Sequence, residues 1–329
     1  MFYCIIIKPI DKLRELDMDY LLLGVSVFTG SFKSIVNKRV KRGAVGMGKT
    51  MQVNAISFAV AFVVVFCFAV FSPSFTFNTP FILAGANALC ILLSQVCLMK
   101  AVDTGSVTVS SLFYSCGFIV PTVWGAIYYH EPVHFLQIIG IGVILLSFVL
   151  SMEKENGKKF NFKWFIFALG GTLFSGLLGI VQKIFGVEYS KQYSLDTFLS
   201  ISFLMIIAIS LIVWLICALV KKGQSHEHIA THELAITKQH RQLIGKRTFV
   251  FTLVLGLILG FHNKICTYLS GVLPSALYFP VVNGGVIVMT AVISAIILRE
   301  KLSKRQLISV ILGFVAIGLI TVGKVLLGG

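Results

Sequence analysis

Lys33 and the run His262-Asn263-Lys264 stand well inside long apolar stretches of the chain. A charged side chain in hydrocarbon is costly unless it faces a cavity or a partner, so each marks a site by default. No acid falls in mid-stretch to neutralise either lysine, because Asp103, Glu131, Glu188, Asp196 and Glu300 all lie near stretch ends. A carboxylate or phosphate on a bound solute would supply the missing charge. The competing reading lets the long lysine stems snorkel to a basic membrane edge. His262 has the chemistry to titrate near neutral pH or to pack as a neutral ring. Among uncharged residues, Gln95 precedes Lys264 by 169 positions and Tyr114 precedes Asn283 by the same 169. Ser110, Ser111, Tyr114 and Ser115 form a hydroxyl stripe ahead of Pro121, and Tyr278, Pro280 and Asn283 form a second polar group. Each proline frees a backbone carbonyl that can face a cavity. The candidate solute contacts are therefore Lys33, Gln95, Ser111, Tyr114, His262, Lys264 and Asn283. Helix-to-helix hydrogen bonding explains the uncharged ones equally well.

Other chemistry is weaker. His130, Glu131 and His134 are close enough to suggest an interfacial enzyme acting on lipid-linked substrates, but Glu131 and Glu300 fit better as braces in turns, each favouring the positive start of the helix that follows. Gly43 to Thr50 formally matches a phosphate-binding loop, yet it lies between two apolar stretches with no strand before it. His228 and His232 have the spacing of a metal pair inside the mixed-charge segment 221–247, where the order His226-Glu227-His228 departs from the zinc protease signature. No catalytic residue, metal or cofactor is expected. Six of the seven cysteines lie in apolar stretches, as small buried hydrophobes do.

The elements that must hold these residues are membrane helices. Hydrophobic residues make up 57% of the 329, charged residues only 12%, and the mean hydropathy is +0.93, which excludes an ordinary soluble domain. Continuous apolar runs without alternation exclude a transmembrane barrel. The net charge of +15 gathers beside the runs, where lipid headgroups are the expected partners, so no nucleic acid is expected. The runs predict ten helices: Tyr20 to Val36, Val53 to Phe71, Phe81 to Met99, Val107 to Tyr129, Phe135 to Ser151, Trp164 to Phe185, Thr197 to Val220, Thr248 to Leu269, Ala276 to Leu298 and Leu307 to Leu326.

The ten fall into two copies of five. Glu131 and Gln137 recur 169 positions later as Glu300 and Gln306, and Ile35-Val36-Asn37-Lys38 recurs 145 positions later as Ile180-Val181-Gln182-Lys183. The copies run over 1–155 and 156–329. An odd number of spans per copy makes the second enter the membrane from the opposite side. Loops after the odd-numbered spans hold 20 Lys and Arg against at most 6 on the other side, which places both termini outside. Met18, just before the first span, is a candidate start. A fused pair of repeats needs no second copy, so a monomer is expected. Gly256-x3-Gly260 is a candidate helix-association face, which would also suit a membrane scaffold.

The matched turns, with Asn-Lys and Gln-Lys closing the first span of each copy, resemble the drug/metabolite transporter superfamily, and within it the EamA-like transporters. The resemblance covers about Met18 to Leu327. It implies an all-α integral membrane fold of ten helices as two inverted five-helix repeats. It also implies a small-molecule site near the bilayer midplane, worked by alternating access in the cell membrane. Family members keep both termini in the cytoplasm, opposite to the charge count. Related small multidrug resistance transporters carry a carboxylate eight positions before the lysine; here that position is Gly30. The expected function is export of a small anionic or zwitterionic metabolite.

Overall fold

A computed structural model describes residues 2–44, 46–71, 78–105, 107–151, 162–227, 244–297 and 303–328, with side chains from 18 onward except at 42, 107–108, 151, 221–227, 297 and 328. It is helical throughout, with no strand among the described residues. The helices are α1 (Phe2–Gly43), α2 (Met47–Val70), α3 (Phe81–Thr104), α4 (Val107–Ser115), α5 (Ile119–Tyr128), α6 (Phe135–Ser151), α7 (Phe162–Ile184), α8 (Leu195–Glu227), α9 (Lys246–Val272), α10 (Ser275–Ile297) and α11 (Lys304–Gly328). In lipid a lone apolar segment can satisfy its backbone groups only this way. Among the described residues eight helical stretches are long and apolar enough to cross a membrane, and Phe135–Leu150 is a shorter apolar helix. The chain is a multi-pass integral membrane protein.

The predicted first span, Tyr20 to Val36, is the middle of a longer helix, because the polar flanks of α1 continue its hydrogen bonding outside the apolar run. The predicted span from Val107 is broken into α4 and α5 by a 3₁₀ turn, Cys116–Phe118. Pro121 explains the break: it has no N–H for the carbonyl of Gly117, and its ring crowds that position, so the preceding turn tightens. Gly43 to Thr50 joins two helices, α1 and α2, as its lack of a preceding strand foretold. The 228–243 part of the long loop, with His228 and His232, lies outside the described residues, as do Glu300 and Lys301.

The chain forms two compact units, and each takes helices from both halves of the sequence. The first comprises Met1–Ser31, Leu89–Gln192 and Ile265–Gly329. Its core gathers Phe118, Ile144, Phe148, Leu269, Leu277 and Ile320. Here α6 and α11 run antiparallel. Ser147 Oγ donates to Ser309 O at 2.8 Å, and a Cβ on Gly140 would lie 3.0 Å from Ala316 O. Lipid gives no hydrophobic drive for helices to associate, so such close backbone approach and interhelical hydrogen bonds carry the contact. Gly142, further round α6, has nothing within 4 Å. Gly142→Ala should therefore stabilise the protein by about 0.5–1 kcal/mol, seen as a higher melting midpoint in detergent.

The second unit comprises Phe32–Ala88 and Tyr193–Lys264. In it α2 and α8 pack antiparallel through the fully buried Phe58 and Phe203, whose ring centroids lie 5.4 Å apart. Gly256 and Gly260 of α9 face α2, where a Cβ on Gly256 would lie 2.5 Å from Ser57 O. The predicted association face is thus used within the chain, against α2.

Candidate functional site

In the first unit the polar chemistry converges on the turn between α5 and α6. Glu131 Oε1 lies 2.6 Å from Lys183 Nζ, and Glu131 Oε2 accepts from the backbone N–H of Ser275 at 2.6 Å. Ser275 opens α10, so the carboxylate caps that helix where free N–H groups and the peptide dipole favour negative charge. Lys183 is only 2% exposed. It also donates to Leu273 O at 3.0 Å, in the turn from α9 to α10, and stands 5.9 Å from the Tyr129 ring. Just past α5, the Tyr129 hydroxyl donates to Glu188 Oε1 at 2.8 Å. Glu188 lies on a single π turn, Phe185–Tyr189, that ends α7. Burial, and then this bond, push the Tyr129 phenol well above its ordinary value, which keeps it protonated as a donor.

The turn is shaped to deliver Glu131. His130 has φ of 50°, a left-handed conformation costly for a side chain with a Cβ. Tyr129 N and Glu131 N both donate to Gly125 O, at 3.2 and 3.3 Å. A side chain on Gly125 would strike Ser275 and the Glu131 carboxylate. Glu131 therefore braces a turn, as its sequence position suggested, but the helix it caps is α10 and not the one that follows.

The start of α6 is served by other groups. His134 N donates to Gln137 Oε1 at 3.0 Å, and Leu136 N donates to His134 Nδ1 at 3.2 Å. At 169 positions on, Ser303 N donates to Gln306 Oε1 at 2.8 Å and Gln306 N donates to Ser303 Oγ at 3.3 Å. This reciprocal pair is a capping box, and the glutamine does the same work in both turns. Gln306→Ala is expected to cost about 1 kcal/mol, measurable as a lowered denaturation midpoint.

The remaining candidates of this unit are dispersed in role. Tyr114 OH lies 3.4 Å from Ser94 Oγ of α3, and Asn283 donates to Phe279 O of its own helix at 2.9 Å. Gln95 is half-buried and Ser111 exposed. Ser110 accepts from Trp164 Nε1 at 2.8 Å, and Ser115 bonds back to Ser111 O at 2.9 Å. Of the hydroxyl stripe, then, two members serve helix contacts.

In the second unit Lys264 does not await a foreign anion. Its Nζ lies 2.9 Å from Asp196 Oδ1 and donates to Oδ2 at 3.1 Å. The expectation of no neutralising acid fails because Asp196, in the first turn of α8, reaches a lysine two turns from the end of α9. Proximity across helices is invisible to a count of positions along one stretch. The Phe68 ring of α2 lies 4.1 Å from the ammonium, close enough for cation–π attraction. The lysine and aspartate side chains are 30% and 14% exposed, so the pair is neither sealed nor fully hydrated. Asp196→Asn should cost about 1–3 kcal/mol, between the values for exposed and buried pairs, read from thermal unfolding in detergent. His262 is buried and Lys33 half-buried.

Sequence reasoning missed Lys183 and Asp196. By position along the chain Lys183 falls at a membrane boundary, whereas it is inside the protein and ion-paired. Its signal was present in the Gln182-Lys183 echo of Asn37-Lys38.

Comparison with known proteins gives three findings. Residues 18–152 match the model of the EamA-like transporter family. No curated protein matches the chain. Among the 28 chains of solved structures that match, one crystal structure aligns with a TM-score of 0.69 at 11% identity, covering 93% of this chain and 97% of that one, a likeness of fold alone.

Proposed function

We propose that this chain, whose residues 18–152 match the model of the EamA-like transporter family, belongs to that family and is a secondary transporter that exports a small anionic or zwitterionic metabolite by alternating access. The family match carries the reading. The proposal includes two inverted five-helix repeats over 1–155 and 156–329, and the contacts support it. In a two-fold arrangement, a contact between i and j recurs between their counterparts. The counterparts of Ser147 and Ser309, each 169 positions away in the other copy, are Ala316 and Gly140. Ser147 meets Ser309, and Ala316 meets Gly140. Phe58 and Phe203, 145 positions apart, meet each other, as residues on an axis would.

Lys33, Gln95, Ser111, Tyr114, His262, Lys264 and Asn283 are proposed to contact the solute, which then competes with Asp196 for Lys264. An enzyme reading is disfavoured because the one candidate carboxylate, Glu131, is committed to Lys183 and Ser275. The test is an untargeted comparison of solutes retained by cells lacking and overproducing the protein. Overproduction should deplete at least one organic anion or zwitterion, and Lys264→Ala should reverse that. Depletion that persists with both Lys33 and Lys264 replaced would end the anionic-substrate reading.

A further inference from the structure

We infer that the Glu131–Lys183 pair is a lock that sets how often one face of the transporter opens. The inference rests on the alternating-access reading above. Glu131 belongs to the first sequence half, whereas Lys183, Leu273 and Ser275 belong to the second. The carboxylate therefore ties the proposed repeats together at one end of the first unit, through contacts of 2.6 Å to the ammonium and 2.6 Å to the N–H of Ser275. The lysine adds the bond to Leu273 O.

An ion pair suits a contact that must come apart. Buried in protein, much of its attraction is offset by lost hydration, so the net hold that remains is modest and can be broken and remade. Once the face parts, both charges regain water, and the open form is spared the exposed apolar surface that a hydrophobic seal would leave. Closure is specific all the same, since the ammonium, the carboxylate and the helix start must meet together. Geometry around the pair keeps it poised: Gly125 leaves the room the carboxylate needs, and the left-handed His130 turns it inward. The sequence repeats the trio as well. Glu300, Ser106 and Lys38 stand at 169, 169 and 145 positions from Glu131, Ser275 and Lys183, so each half supplies the residue types of such a lock.

Hydrogen–deuterium exchange on the full chain in lipid nanodiscs tests this with Glu131→Gln/Lys183→Met. The double variant leaves no unpaired buried charge, and its glutamine oxygen still caps Ser275. Exchange across 129–134 and 273–276 should rise at least tenfold, while the α6 and α11 segments that carry Ser147 and Ser309 keep wild-type rates. Unchanged exchange at 129–134 and 273–276 would overturn the lock, and so would an equal rise everywhere, which marks a mere staple of the fold. The outcome is separable from the transport reading. Absent solute export with a local rise leaves the lock standing without transport, and export with unchanged exchange removes the lock alone.

Discussion

Lys183→Met alone will destabilise the protein by about 2–4 kcal/mol, the cost of stranding a carboxylate that is only 16% exposed without its counter-charge. The methionine fills the same stem volume, so the loss reports charge more than packing. Glu131 would keep its bond to the N–H of Ser275 but lose the ammonium at 2.6 Å, and Leu273 O would lose a donor. Adding Glu131→Gln should restore most of the loss, because a neutral amide can stay buried and still accept from Ser275. Denaturation midpoints of the two single variants and the double, taken as a double-mutant cycle, should show a coupling of several kcal/mol. Additive losses would mean the two charges do not act on each other.

Gly256→Val should be nearly as damaging, at about 3 kcal/mol, with a loss of properly inserted protein. The added Cβ would meet Ser57 O at 2.5 Å and the Val60 Cβ at 2.6 Å. Both belong to α2, so relief requires a whole helix to move away. Gly142→Ala is the matched control, since the same kind of change there meets open space. Equal behaviour of the two glycine variants in a thermal unfolding assay would contradict the packing described for α2 and α9.

The helices were legible in the sequence because lipid leaves an apolar run one way to satisfy its backbone. Phe135 to Ser151 is recovered end for end, and the start of the span from Ala276 shifts only to Ser275. The 3₁₀ break at Cys116–Phe118 had its cause in view in Pro121. The site was less legible. Glu131 was recognisable as a turn brace, but its partners lie 52 and 144 positions away, as Lys183 and Ser275. Asp196 read as an end-of-helix acid with no bearing on Lys264, 68 positions on. Charge type and spacing along one stretch identify residues that need a partner. Which partner they take is decided by helix packing, and the 169- and 145-residue offsets were the part of that packing that the sequence exposed.

Transport itself is tested most directly with purified protein in vesicles of phosphatidylethanolamine and phosphatidylglycerol, loaded with an isotope-labelled pool of small metabolites and read by mass spectrometry. The wild-type protein should release at least one organic anion or zwitterion that protein-free vesicles retain, and Lys264→Met should slow that release at least tenfold. Contents that stay the same with and without the wild-type protein would contradict the assignment as a transporter of such solutes.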